Sequence, residues 1–305
     1  MIRLNFIVLC LMALTCLAFA QQIADTSYYP DIGNPTYSWN TGPVVFIDEG
    51  HHNFHTKDGR YTSFAQLLER DGYQVKSYSG FFEGERISKG KILVISNALN
   101  VVNVDRWILP NPSAFTVDEI VTLKKWVEDG GSLFLIADHM PLAGAAADLA
   151  SAFDFEFTNG FVMYNGGHIP SMFSLNEGSL LPSAITEGRE VAEQIDEVAT
   201  FTGQAFRIPQ GAISVLQFSD DHTNFLPDTA WRFHDGTKRQ SVEGWSQLAY
   251  MKVGKGRLVV SGEAAMFSAQ LAGPEKRKMG MNSPLATQNY KLLLNIIHWL
   301  DGLID

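Results

Sequence analysis

The chain has 305 residues, and its 33 acidic and 23 basic side chains give a formal charge of −10. It has no run rich in lysine and arginine, and an acidic surface is repelled by phosphate backbones, so we expect no nucleic-acid partner. The length is enough for one large α/β domain, or for two poorly separated ones.

Residues 1–20 have the composition of a secretory signal peptide. A positive charge at Arg3 precedes an apolar stretch, and Ala18 and Ala20 form an A-x-A cleavage pattern. We therefore expect cleavage after Ala20 and a periplasmic or secreted protein; a membrane anchor is the alternative, although the apolar run is short. Loss of Arg3 makes the charge −11, and loss of Cys10 and Cys16 leaves no thiol. No later apolar run reaches the length of a membrane span.

After a turn-rich lead-in at 21–43, strands and helices alternate along the chain. Continuous apolar runs predict buried strands at 44–48, 91–96 and 132–138, and alternating apolar and polar residues predict a further strand at 73–79. Amphipathic patterns predict helices at 61–72, 116–131 and 143–154, the second of which begins with a capping box of Thr116 and Glu119. Buried strands that alternate with helices indicate an α/β fold with a mostly parallel sheet covered on both faces.

The middle of the chain, 157–240, follows a different pattern of short strands separated by Gly, Pro and Asn. We interpret it as a β-rich insertion within a single domain that extends over 44–305. The α/β pattern returns with a hairpin at 246–263, which turns at Gly254-Lys255-Gly256, and a final helix at 289–304.

Chemically capable side chains follow three of the predicted strands. Ligands of open parallel sheets bind beyond the carboxyl ends of the strands, so these groups are expected to share one edge. The candidate catalytic residues are Glu49, His51, His52, Asp138, His139 and Glu263.

Two chemistries fit this set of carboxylates and imidazoles. The residues are able to hold a divalent metal with a bound water, or to act without metal as a carboxylate that orients a histidine base. The segment "GHHNFH" is not the H-E-x-x-H motif and reads as a loop, and Asp48 and Asp138 are also suited to capping the helices that follow them. There is no cysteine after the signal and no G-x-S-x-G elbow, so a nucleophilic mechanism is not indicated. The cofactor is therefore left open, with a divalent metal as one option.

Four segments carry a family resemblance: "VVFIDEGHHNFHTKDGRYTSFAQLLERDGY", "WVEDGGSLFLIADHMPLAGAAADLASAF", "GRLVVSGEAAMFSAQ" and "QNYKLLLNIIHWLDGL". Together they resemble a DUF4350-type domain related to class I glutamine amidotransferases, over about residues 44–303. The resemblance implies a flavodoxin-like three-layer sandwich, in exported bacterial proteins or beside glycoside hydrolases. The amidotransferase Cys-His-Glu triad does not carry over, because the nucleophile position falls near Asp138 or His139.

Two functions follow from these observations. The first is a hydrolase that acts on a carbohydrate or its ester through the histidine and carboxylate residues. The second is a non-catalytic module that binds carbohydrate or a partner protein through aromatic loops, such as those with Phe81, Phe82 and Trp107.

Overall fold

A computed structural model describes residues 22–167 and 170–305. The strands are β1 Gln22–Ala24, β2 Val44–Asp48, β3 Gln74–Tyr78, β4 Ile92–Ser96, β5 Ser132–Ile136, β6 Glu156–Phe157, β7 Phe161–Tyr164, β8 Ser171–Ser174, β9 Glu197–Thr200, β10 Phe206–Arg207, β11 Ile213–Gln217, β12 His222–Leu226, β13 Lys238–Ser241, β14 Ser246–Val253, β15 Gly256–Ser261, β16 Ala269–Ala272 and β17 Arg277–Gly280. The helices are α1 Thr62–Arg70, α2 Gly84–Ile87, α3 Val117–Glu128, α4 Leu142–Ser151, α5 Ala184–Glu187 and α6 Asn289–Asp301. The predicted signal peptide lies outside the described residues.

The largest sheet is mixed. Its strand order is β3-β2-β4-β5-β15-β14-β10-β6, and β11 pairs with β14 as well. The pairs β2–β3, β2–β4, β4–β5 and β5–β15 are parallel. From β15 onward the direction reverses, because β14 joins β15 through a tight hairpin and β10 and β11 pair antiparallel with β14.

The expected flavodoxin-like three-layer sandwich with a mostly parallel sheet is therefore wrong. Among the described residues only those four strand pairings are parallel, and every other pairing is antiparallel. The error has a physical source. Strands β6 to β13 are only two to five residues long, and several pair with partners far away in sequence, as β7 with β12 and β10 with β14, so the local pattern does not show their direction. These strands extend the large sheet and build smaller sheets of their own.

The central parallel strands β4 and β5 bury both of their faces, as their continuous apolar sequences indicate, whereas Lys76 and Ser77 of the edge strand β3 are exposed. In β5, Phe134 packs into one apolar cluster together with residues of α1 and α6. The neighbouring Leu133 and Leu135 belong to a second cluster that includes residues of α3 and α4. Alternate side chains of a strand face opposite sides of the sheet, so helices cover both sides of its parallel part.

This packing places the ends of β2, β4, β5 and β15 along one edge, which we call the carboxyl edge. Their register is continuous: Ser96 at the end of β4 pairs with Ile136 of β5, and Ile136 pairs with Ser261 of β15. The loops that carry the candidate residues therefore begin side by side. In the described part of the chain, no helix combines the length and apolarity needed to cross a bilayer.

Candidate functional site

His51 is buried between two carboxylates in the loop after β2. Its Nδ1 atom lies 2.9 Å from Oδ2 of Asp48, and its Nε2 atom lies 2.9 Å from Oε1 of Glu119 in the first turn of α3. The ring stacks on Phe82 and contacts Phe115. Burial lowers the pKa of His51, but the two carboxylates outweigh it and hold the pKa above its ordinary value. Because both nitrogens are engaged, this histidine ties its loop to α3.

The other two candidates of this loop lie apart from His51. Glu49 accepts hydrogen bonds at Oε1 from the Lys57 N–H at 2.8 Å and from the Ser77 hydroxyl at 2.9 Å. Glu49 therefore links the loop after β2 to Ser77 of β3. His52 is exposed and has a φ of +48°, in the left-handed region. Neither is hydrogen-bonded to the residues after β5 within the described chain.

Asn97 joins the same loop to the end of β5. Its Oδ1 accepts the Asp138 N–H at 2.8 Å, and its Nδ2 lies 3.2 Å from Nδ1 of His55. Since the amide oxygen is already used, the amide N–H donates to Nδ1, and the neutral ring must carry its proton on Nε2. That Nε2 atom is buried without a hydrogen-bond partner. Burial, and then the charge of Arg60, lower the pKa of His55 to about 3.

Asp138 and His139 follow β5 directly. The Nδ1 atom of His139 lies 2.8 Å from the carbonyl oxygen of Met140, so in the neutral ring Nδ1 carries the proton and donates it. The basic nitrogen is then Nε2, which lies 3.9 Å from Oδ1 of Asp138. The side chains are 9% and 13% exposed, so His139 is buried and Asp138 is partly accessible. An imidazole nitrogen that keeps its lone pair free is able to act as a general base.

Three aromatic side chains, Trp107, Phe161 and Trp231, surround His139, and we call them the aromatic wall. The imidazole stacks on Phe161 with ring centroids 4.2 Å apart, and Trp231 meets it edge-on at 4.7 Å. Trp107 lies 6.1 Å away. Trp231 is 50% exposed and has a φ of +63°, a costly conformation for a bulky residue. Such strain often accompanies functional sites.

Main-chain bonds hold the two tryptophan loops together. The Leu109 N–H donates to the Asp228 carbonyl at 3.0 Å, and the Ala230 N–H donates to the Trp107 carbonyl at 2.9 Å. The aromatic wall is therefore built by the loop after β4, by the loop between β12 and β13, and by Phe161 at the start of β7.

Glu263 lies in the loop after β15 and is buried. It accepts hydrogen bonds from the N–H groups of Ala265 at 2.8 Å and Met266 at 2.7 Å. Burial, and then the negative charge of Asp138, raise its pKa well above the ordinary value. The structure thus brings Glu263 into electrostatic contact with Asp138, although its oxygens already serve the backbone of its own loop.

The carboxyl edge does not have the donor pattern of a metal centre. Within residues 22–167 and 170–305, no three His, Cys, Asp or Glu side chains cluster as potential ligands of one ion. The candidates divide instead into two groups, one around His51 and one around Asp138.

Of the four remaining histidines, His234 is exposed in the loop between β12 and β13, where its Nδ1 accepts the Gly236 N–H at 3.1 Å. His298 is buried on α6 and pairs with Asp71 at 2.7 Å, as expected for a packing residue. His222 is buried beside Asp221. His168 lies outside the described residues.

A groove of about 320 Å³ opens at the opposite edge of the sheet, where Asp71 precedes β3. Two of its charged groups are paired, Arg189 with Glu193 and Asp71 with the neighbouring His298. We place the candidate site at the carboxyl edge because an imidazole nitrogen with unused bonding capacity lies there, on His139.

Several residues of the site were not predicted. Glu119 had been assigned only to the capping box, which the structure confirms. Asn97, Phe161 and Trp231 carried no recognisable sequence signal, since two of them lie in the β-rich middle region. Only the position of Asn97 directly after a buried strand would have indicated it.

Comparison with known proteins supports the fold and leaves the chemistry open. No protein-family model matches the chain, and no curated protein is significantly similar in sequence. The mmIFT52 N-terminal domain is 15% identical with a TM-score of 0.59, over 84% of this chain and 97% of that domain. The chain therefore shares the fold of that domain.

Two further solved structures are weaker matches. A ThuA-like protein from Bacteroides uniformis is 11% identical with a TM-score of 0.47, over 88% of this chain and 95% of that chain. The exo-β-1,4-mannosidase Op5Man5 from Opitutaceae bacterium strain TAV5 is 16% identical with a TM-score of 0.37, over 73% of this chain and 31% of the enzyme. The solved structures that resemble this chain thus include a ThuA-like protein and part of a mannosidase, and none of the comparisons supports the DUF4350 assignment.

Proposed function

We propose that this chain is a hydrolase that acts on carbohydrate esters, with His139 as the general base. The observation that carries the proposal is the hydrogen bond from Nδ1 of His139 to the Met140 carbonyl, which reserves Nε2 for proton transfer. The structural comparisons add nothing to this assignment beyond the fold.

The reaction needs only water and the ester. Nε2 of His139 removes a proton from water as the water oxygen bonds to the acyl carbon. The tetrahedral intermediate then collapses, the bond to the sugar oxygen breaks, and the departing oxygen takes the proton from His139. Asp138, 3.9 Å from Nε2, stabilises the positive charge that the imidazole holds between these steps.

An ester fits this site better than a glycosidic bond. Glycosidases commonly use two carboxyl groups that flank the scissile bond, one as acid and the other as base or nucleophile. Here Asp138 reaches solvent, but Glu263 is buried and bonded to backbone N–H groups. We therefore assign Glu263 a positioning role, in which it fixes the loop next to Asp138.

The aromatic wall supports a carbohydrate ligand. Aromatic faces offer a broad apolar surface at low conformational cost, which suits the C–H faces of a sugar ring. Trp231 is half exposed, next to His139, and is thus available to such a ring.

Three of the predicted catalytic residues are left out of this machinery. Glu49 is bonded to its own loop and to Ser77, and both nitrogens of His51 are occupied. His52 is exposed on the loop after β2.

We also propose export of the protein with cleavage after Ala20, which N-terminal sequencing of the mature protein tests.

Release of acid from acetylated oligosaccharides tests the proposal. We expect His139→Ala to lower kcat/KM by about 10²- to 10⁴-fold, the usual contribution of a general base. His52→Ala is the matched control and should retain full activity. If the wild-type protein binds these oligosaccharides with no release of acid, the non-catalytic carbohydrate-binding module is the correct function. Equal activity of His139→Ala and the wild type contradicts the role of His139.

A further inference from the structure

Arg60 is a partly buried cation that lacks an acidic partner. Its guanidinium carbon lies 3.7 Å from the centroid of the Phe54 ring, and NH1 donates to the Phe54 carbonyl at 3.2 Å. Its Nε atom is buried without a hydrogen-bond partner. In the part of the chain that the structure describes, no carboxylate forms an ion pair with it. Removal of a charge from water is costly unless the charge is paired, so a bound anion would stabilise this partly buried guanidinium.

A second unpaired donor lies in the same loop. The bond from Asn97 places the proton of neutral His55 on Nε2, and this atom is buried with no acceptor. Phe54 contacts both side chains: its ring meets the His55 ring with centroids 5.6 Å apart, and the Arg60 guanidinium lies over it. A neutral imidazole N–H and a guanidinium are both donors, and they suit the same negatively charged oxygen atoms.

The start of α1 adds a third contribution of the same sign. This helix has nine residues and begins at Thr62, two positions after Arg60. Its first turn has no side-chain cap and no acidic residue, unlike α3, whose first turn contains Asp118 and Glu119. The uncompensated positive end of a helix attracts anions.

We propose that Arg60, His55 and the first turn of α1 form a binding site for a carboxylate or sulfate group of the ligand. The site adjoins the proposed active site along two paths. Phe54, which carries Arg60, meets Trp107 of the aromatic wall with ring centroids 5.4 Å apart. Asn97 bonds both His55 and the Asp138 backbone. Resting on the proposed function, this makes the substrate an ester of an acidic saccharide.

Titration with inorganic sulfate tests the anion site without any assumption about catalysis. Calorimetry at constant ionic strength, balanced with chloride, is expected to show saturable binding to the wild type and at least a tenfold loss in Arg60→Gln. Arg86→Gln is the matched control, because Arg86 also lies over an aromatic ring and bonds a backbone carbonyl. It should bind sulfate like the wild type.

Arg60→Lys keeps the positive charge and the aliphatic part of the side chain. It therefore tests the anion site even if Arg60→Gln fails to fold. It should bind sulfate more weakly than the wild type, because lysine lacks the planar donor fork. Absence of saturable binding in the wild type, or equal affinity in the wild type, Arg60→Lys and Arg60→Gln, overturns the proposal.

Paired substrates separate this inference from the proposed hydrolase. Neutral and acidic acetylated oligosaccharides of equal length are compared in the wild type and Arg60→Gln. We expect Arg60→Gln to raise KM at least tenfold for the acidic substrate alone. Equal hydrolysis of both substrates by both proteins retains the hydrolase and overturns the anion site. Binding of the acidic oligosaccharide that depends on Arg60, with no turnover, supports the anion site and overturns the hydrolase.

Discussion

The carboxyl edge contains two histidines next to carboxylates, and their surroundings differ in one decisive respect. Both nitrogens of His51 lie 2.9 Å from carboxylate oxygens, between the end of β2 and the first turn of α3. His139 has one nitrogen bonded to a backbone carbonyl and the other 3.9 Å from Asp138. The first has no bonding capacity left for a ligand, whereas the second retains a basic nitrogen.

The difference shows that residue type alone does not identify a catalytic histidine. A histidine held by two carboxylates is a cross-link whose removal leaves buried charges unpaired. A histidine with a reserved tautomer and an aromatic neighbour at the surface is able to transfer a proton. The two clusters should therefore respond in opposite ways to mutation, one in stability and the other in activity.

The largest effect on stability is expected for His51→Ala. The variant leaves Asp48 and Glu119 buried without their shared partner, which should lower the free energy of unfolding by about 3–5 kcal/mol. Denaturant unfolding followed by circular dichroism measures the change. A loss below about 1 kcal/mol, of the size typical for an exposed ion pair, would show that His51 is not a structural cross-link.

The pH dependence of stability should reveal the buried His55. Its pKa is lowered to about 3 in the folded protein, against about 6.5 for an unperturbed histidine. The unfolded chain therefore binds a proton that the folded chain does not, and stability falls as the pH decreases from about 6.5 to about 3. Between these two pH values the free energy of unfolding changes by about 1.4 kcal/mol per pH unit, and above about pH 6.5 His55 no longer makes it depend on pH.

His55→Gln is expected to remove this slope, and His52→Gln to leave it in place because His52 is exposed. Urea unfolding of the three proteins at several pH values makes the comparison. Parallel pH profiles for the wild type and His55→Gln would contradict the assignment of a neutral, buried ring.

A smaller effect, confined to the ligand, is expected for Trp231→Ala. The side chain is half exposed, so stability should change little, while loss of the aromatic surface should weaken carbohydrate binding about tenfold. Isothermal titration with an acetylated oligosaccharide measures the affinity. Trp39→Ala is the control, because Trp39 is exposed in the segment before β2. Equal affinity for both variants and the wild type would remove the aromatic wall from the site.

The smallest effect is expected for His52→Ala, which sharpens the comparison within a single loop. His52 is adjacent to His51 in sequence but exposed, so its replacement should change the free energy of unfolding by no more than about 0.5 kcal/mol. A loss as large as that of His51→Ala would mean that the loop, rather than the carboxylate pair, sets the stability.

The sequence predicted the parts of this molecule that depend on local patterns. Apolar runs predict the strands that end at or just before Asp48 and Asp138. The capping box predicts the helix that begins after Thr116, and the turn residues predict the hairpin at Gly254. The prediction of a mostly parallel sheet was wrong, because the short strands of the middle region pair antiparallel with strands that are far away in sequence.

In the candidate site, too, the contacts that follow from strand order were predictable, whereas those made by tertiary packing were not. That Asp138 and Glu263 come together was predictable from the carboxyl ends of parallel strands. The partner of His51 was not, because Glu119 is 68 positions away and its capping role already accounted for it. Phe161 and Trp231 reach His139 only through tertiary packing, so no local pattern marks them.

Nitrogen-15 NMR of the imidazole rings tests the contrast between His51 and His139 most directly. We predict that His51 titrates above the ordinary histidine pKa, with both nitrogens protonated below it, and that neutral His139 carries its proton on Nδ1 with Nε2 unprotonated. A neutral His51 with an unprotonated nitrogen at pH 6 would contradict its role as a charged cross-link, and a neutral His139 with its proton on Nε2 would contradict the assignment of the catalytic base.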